Sequence, residues 1–172
     1  MQRRTLIQTA RVAAVVVFAA GLAGCGFELR KTPEFAFKTL YTGASENSLI
    51  ANELKRYLRA VGSVLVLTDP KQRATAQAVL ELLSEQREKT VVGVNAAGQV
   101  REFQLRTRLK FRLVTPEGKE LIEPTEILQQ RDISFNETAV LSKETEESAL
   151  YRDMQADIVQ QLMRRLAAIK AL

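Results

Sequence analysis

From Val100 to Val114 the chain alternates with period two. Phe103, Leu105, Leu109, Phe111 and Leu113 fall on one face, and Gln104, Arg106, Arg108, Lys110 and Arg112 on the other. A helix stripe would repeat its apolar residues every three or four positions, so this stretch reads as a long strand with one apolar face. Ala78 to Val94 is a second β-type run. Between them lies Asn95-Ala96-Ala97-Gly98, where Asn and Gly supply residues for positive φ, and the two runs read as a long β-hairpin. Pro116-Glu117-Gly118 marks the next turn. Pro124 breaks the segment after that turn, and Glu126 to Asn136 reads as a third long strand with Ile127, Ile133 and Phe135 on one face.

Something must cover the apolar face of such a sheet, and the flanking segments supply it. Phe35 to Tyr41 reads as a first strand. In Ser48 to Val61 the apolar residues Ile50, Leu54, Leu58 and Val61 recur at helical spacing, with Asn47 or Ser45 as the N-cap and Gly62 as the stop. Val64 to Thr68, apolar up to its last residue, reads as a short buried strand. A closing helix is expected over Thr145 to Ile169, where Leu150, Met154, Ile158, Leu162 and Leu166 recur every four residues. Acids near its start and Arg164, Arg165 and Lys170 near its end complement the helix dipole. The order β-α-β, β-β-β, α gives an α/β (α+β) two-layer sandwich, with two helices on one face of a mixed sheet with long antiparallel strands.

The first residues are of another kind. Arg3, Arg4 and Arg11 precede an apolar stretch from Val12 to Ala23, about the length of a signal-peptide core and too short to span a bilayer. Leu22-Ala23-Gly24-Cys25 resembles the lipobox of bacterial lipoproteins. That implies a signal peptide over residues 1–24, a lipid on the thiol of Cys25, a lipidated tether over 25–34 and one domain over 35–172. Cys25 is the only cysteine, so it has no disulfide partner within the chain. Gly26 stands where an aspartate would retain many such lipoproteins in the inner membrane. The address implied is the periplasmic side of the outer membrane, reached through a lipid anchor.

Removing the first 24 residues discards three of the 25 basic side chains and leaves 22 against 20 acids. The high isoelectric point therefore does not argue for nucleic acid. The chain has no histidine, and no cysteine beyond the anchor, which removes imidazole acid–base chemistry, Ser-His and Cys-His pairs and the usual zinc sites. No Gly-rich phosphate loop occurs, no Asp/Glu pair stands out, and no cofactor is implied. A binding or assembly module is the better reading than an enzyme. The concentrated charge is the strand face Arg106, Arg108, Lys110 and Arg112. One reading makes it a solvated face with partners among Glu81, Glu85, Glu88, Glu126 and Asp132; the other makes it a face for an anionic or polar partner.

Three motifs in order carry a family resemblance. Cys25-Gly26-Phe27-Glu28-Leu29-Arg30 resembles the opening of the LptE family of lipopolysaccharide-assembly lipoproteins. Gly98 to Leu105 (GQVREFQL) resembles its hairpin strand, and Glu146 to Arg165 its closing helix. The resemblance implies a plug inside the barrel of LptD, an outer-membrane β-barrel whose folding it assists, and a protein that binds lipopolysaccharide. Lys143 matches a lipopolysaccharide-binding position in the loop just ahead of the closing helix. At a second such position this chain has Ala96, and Arg101 or Lys89 is the nearby charge that could replace it. The alternative is a structural adaptor in another envelope-assembly complex, without a lipid ligand.

Overall fold

A computed structural model describes residues 33–171. The leader, Cys25 and most of the tether lie outside the described residues. Five strands form one sheet in the order β2-β1-β3-β4-β5: β1 (Thr39–Thr42), β2 (Leu65–Leu67), β3 (Ala78–Val94), β4 (Val100–Val114) and β5 (Glu120–Ser134). The helices are α1 (Leu49–Val61) and α2 (Val140–Ala167). β1 is parallel to both neighbours, β2 and β3, while β3, β4 and β5 run antiparallel. This is the mixed sheet and α+β class expected.

Both helices pack on the face to which Leu109, Phe111 and Leu113 point. With Leu40 and Leu80 these meet Ile50, Leu54 and Leu58 of α1 and Ile158, Leu162 and Leu166 of α2 in the main core. Each such side chain, fully buried, contributes about 1.5–3 kcal/mol. On the opposite face residues 68–77 cross from β2 to β3, and Ala76 closes a smaller cluster with Tyr41, Leu67, Val79 and Val114.

Ser48, and neither Asn47 nor Ser45, caps α1: its hydroxyl accepts from the Ala51 N–H at 3.0 Å. Gly62 ends the helix at φ 72°, a left-handed turn that favours glycine. The first strand is shorter than expected, because Phe35 and Phe37 leave the ladder and pack as a tilted ring pair 5.5 Å apart. β2 is an edge strand and not a fully buried one; Leu65 is 63% exposed.

Two further boundaries move for physical reasons. β5 passes through Pro124 instead of stopping there. Phe111 pairs with Thr125 and Leu113 with Ile122, so Glu123 and Pro124 together face Arg112 in a bulge on an edge strand, where a missing N–H costs no ladder bond. The closing helix begins at Val140, five residues early. Its first turn has no buried stripe for periodicity to reveal: Leu141 is 80% exposed. Polar links hold it instead, from the Ser142 hydroxyl to the Ala139 carbonyl at 3.0 Å and from Lys143 to Glu146 at 2.8 Å.

Candidate functional site

Because α2 starts early, Lys143 lies in its first turn and not in a loop. That turn crosses the far end of β4 and β5. Lys143 Nζ donates to Ser134 Oγ at 3.0 Å and to Glu146 Oε2 at 2.8 Å, and its side chain is 21% exposed. A register shift in β3 between Leu82 and Ser84 reverses which side chains face the helices, and brings Lys89 to the same side, opposite Leu105. Lys89 Nζ sits 4.3 Å from the Phe103 ring centroid and 2.6 Å from Glu147 Oε2. Phe103 meets Phe135 edge-on, centroids 5.4 Å apart. Lys89, Lys143, Phe103, Phe135 and Ile133 line one cavity of about 80 Å³.

Beneath it Leu105, Ile133 and Met154 are buried, with Leu150 and Tyr151 packed against them. The Tyr151 hydroxyl donates to the Glu88 carbonyl at 2.9 Å, and burial, with the nearby Glu147 carboxylate, pushes its pKa up against the opposing effect of Arg87. Arg87 stacks 5.2 Å over the Tyr151 ring and donates to Gln155 Oε1 at 2.9 Å. The cavity can thus offer two ammonium groups above an aromatic and aliphatic floor. Each ammonium already holds a carboxylate, so an anion must compete for it.

The other expected positions part company here. Arg101 is at this end of the sheet, since its carbonyl accepts from Phe135 N–H at 2.7 Å, but its exposed side chain does not line the cavity. Lys89 does. Ala96 is exposed in the hairpin tip, which Asn95 organises by accepting from Ala97 and Gln99 N–H at 3.0 and 2.9 Å. Reasoning from the sequence missed Phe135 and Glu147 as cavity residues; the alternation of Phe103 and Phe135 held the signal, the β3 bulge did not.

The basic strand face lies on the side away from the helices and is a cross-strand lattice. Arg112 lies between Glu81 at 2.6 Å and Glu120 at 3.8 Å, and Arg108 between Glu88 at 3.5 Å and Glu126 at 3.4 Å. Arg106 Nε donates to Gln104 Oε1 at 2.7 Å. Lys110 is exposed, with no ion pair among the described residues. Glu81, Glu88 and Glu126 are partners as expected. Asp132 accepts from Gln104 at 3.0 Å, and Glu85 lies beyond the bulge on the helix side, accepting from the Ser48 hydroxyl at 2.6 Å. The hydrogen bond and charge of Arg112, against an upward push from burial and with help from Arg73, lower the pKa of Glu81 from its ordinary value. Among the described residues there is no group of side chains fit to hold a metal, and no helix is long and apolar enough to cross a membrane.

Comparison with known proteins agrees with this architecture. Residues 37–166 match the family model described as LptE, lipopolysaccharide-assembly. The LPS-assembly lipoprotein LptE of Pectobacterium atrosepticum is 30% identical over 154 residues, covering 86% of this chain and 79% of that protein. Its namesake in Yersinia enterocolitica is 26% identical, covering 87% and 71%. The NMR structure of an uncharacterized lipoprotein B from Nitrosomonas europaea superposes with a TM-score of 0.71 at 32% identity, over 83% of this chain and 91% of that one. The crystal structure of the rare lipoprotein B from Shewanella oneidensis, at 22% identity over 76% and 94% of the two chains, shares the fold with a TM-score of 0.63. The family match over most of the domain, joined to a mixed sheet and two helices in the order expected, places this chain in the LptE family of lipopolysaccharide-assembly lipoproteins.

Proposed function

We propose that this protein binds lipopolysaccharide at the Lys89–Lys143 cavity while serving as the partner of an LptD-type outer-membrane β-barrel, whose assembly it assists. Its role in lipopolysaccharide assembly follows from its family, which is not a family of enzymes. The observation that carries the finer reading is the pairing, in one cavity, of two ammonium groups with the Phe103–Phe135 rings. A phosphorylated lipid presents that combination in mirror image: phosphate oxygens beside acyl chains. Phosphate would take the ammonium hydrogen bonds from Glu146 and Glu147, and a charge-assisted bond of that kind contributes about 1.5–3 kcal/mol. The exposed Val140 and Leu141 beside the cavity give the acyl portion an apolar surface.

In this reading Cys25 carries the lipid anchor on the periplasmic side of the outer membrane, and residues 25–34 tether the domain. The lattice of paired charges on the helix-free face is the kind of surface that suits the polar lumen of a large barrel. The test is direct binding of lipopolysaccharide to the purified lipidated chain. Lys143→Ala and Lys89→Ala are each expected to weaken it roughly 10–100-fold. Glu146→Gln should tighten it, because it removes the competitor for Lys143. The wild-type protein should co-purify with one large barrel. The adaptor reading is favoured by one observation, that both lysines already have carboxylate partners; unchanged affinity in all three variants would select it and overturn the lipid site.

A further inference from the structure

A second site is built at the other end of the domain, where β1 and β2 finish side by side. The chain leaves β1 toward α1 on one face of the sheet and leaves β2 toward the Ala76 cluster on the other. Divergence of this kind opens a crevice beyond the carboxyl ends of parallel strands, the usual place for a ligand in such sheets. Here the crevice is an open groove of about 690 Å³, within the range of small-molecule sites.

One wall of the groove is a helical stripe, Asn52, Lys55, Arg56 and Arg59 of α1. None of its three cations has an ion pair or hydrogen bond among the described residues. Unpaired cations occur elsewhere too, Lys110 among them; what singles the groove out is that three stand on one helical stripe of one wall, where Arg59 alone would be explained by the dipole at the end of α1. A second observation is independent of charge. Thr42, 1% exposed at the end of β1, lines the groove, and its hydroxyl is buried without a hydrogen-bond partner. Buried hydroxyls are ordinarily paired. Glu46, the carboxylate at the rim, and the hydroxyl of Thr68 add acceptors and donors suited to sugar hydroxyls rather than to acyl chains.

We infer that this groove binds a phosphorylated saccharide, with phosphate on Arg56 and Arg59 and sugar hydroxyls on the polar groups between the strand ends and α1. The site stands apart from the Lys89–Lys143 cavity and does not depend on it. The saccharide could be the head of a lipid or a free sugar phosphate, and the same chemistry serves both.

The experiment is calorimetric titration of the lipidated full-length mature protein in detergent with fructose 1,6-bisphosphate, fructose and inorganic phosphate. Saturable binding of the bisphosphate is expected, with no binding of fructose and at least tenfold weaker binding of inorganic phosphate. The double variant Arg56→Ala/Arg59→Ala should lose at least tenfold in bisphosphate affinity, and Lys110→Ala, on the opposite face of the sheet, should lose none. Thr42→Val, which removes an unpaired hydroxyl, should unfold at the same or higher temperature yet bind several-fold more weakly; it keeps the test decisive if the double variant misfolds. Competition by deacylated lipopolysaccharide would name the lipid head as the source, and its absence a free sugar phosphate. No saturable binding, equal binding in the double variant, or inorganic phosphate binding as tightly as the bisphosphate would overturn the inference.

Discussion

At the scale of single residues, ion pairs tie β3 to its neighbours. Glu81 shows how. Arg112 and Arg73 donate to it at 2.6 and 2.8 Å, and the resulting depression of its pKa means that the folded chain takes up this proton less readily than the unfolded chain. The stability it contributes is therefore fully present above the ordinary carboxyl range near pH 4.3 and is lost as pH falls through the lowered folded value. Arg112→Gln is expected to destabilise the protein by no more than about 1 kcal/mol at pH 7, since the pair is partly exposed. The difference should shrink as pH drops below 4, and urea unfolding at a series of pH values checks both statements. The same habit of pairing shapes the lysine cavity: Lys143 and Lys89 reach a ligand only by exchanging one oxygen for another.

At the scale of elements, α1 depends on its first residue more than on its length. Ser48 accepts from the Ala51 N–H and donates to Glu85 Oε2 at 2.6 Å, so one hydroxyl both caps the helix and ties it to β3. Ser48→Ala should lower stability by about 1–3 kcal/mol, the usual cost of a lost cap plus a carboxylate left without its donor. A shift in the urea midpoint at unchanged slope is the expected record. β5 adds a complementary point. An edge strand can carry a proline at a bulge, and that bulge also keeps a long edge from presenting an unbroken ladder to other chains.

At the scale of the whole domain, the main core and the lysine cavity sit at different ends. The main core joins β1, the start of β3, the end of β4 and the last turns of α2. Beyond Leu82 the hairpin leaves this core, and Val91, Val92 and Val94 are 45–60% exposed. Native-state hydrogen exchange is expected to show amides of Leu54, Leu80, Phe111 and Leu162 opening only with global unfolding. Amides between Val91 and Phe103 should exchange through local fraying, at least a hundredfold faster. Uniform protection along the hairpin would contradict this division. An end held by few buried contacts is also the end able to adjust to a lipid or a barrel wall.

The amino-acid sequence by itself determined the two helices, the long hairpin from Ala78 to Val114 and the face each presents to the core. Period two and period four are written in side-chain order and need no distant partner to be read. Through short motifs it also held the family. The tertiary structure decided what depends on residues far apart in the chain. A bulge in β3 turned Lys89 toward Phe103 and Glu85 toward Ser48. A place at the sheet edge let Pro124 remain in a strand. Polar contacts local to one turn started α2 early and drew Lys143 out of a loop. The partners of the basic face, and the groove between strand ends and α1, exist only once β1, β2 and α1 are brought together. Register and edge position are properties of the assembled sheet, and no local pattern of side chains encodes them.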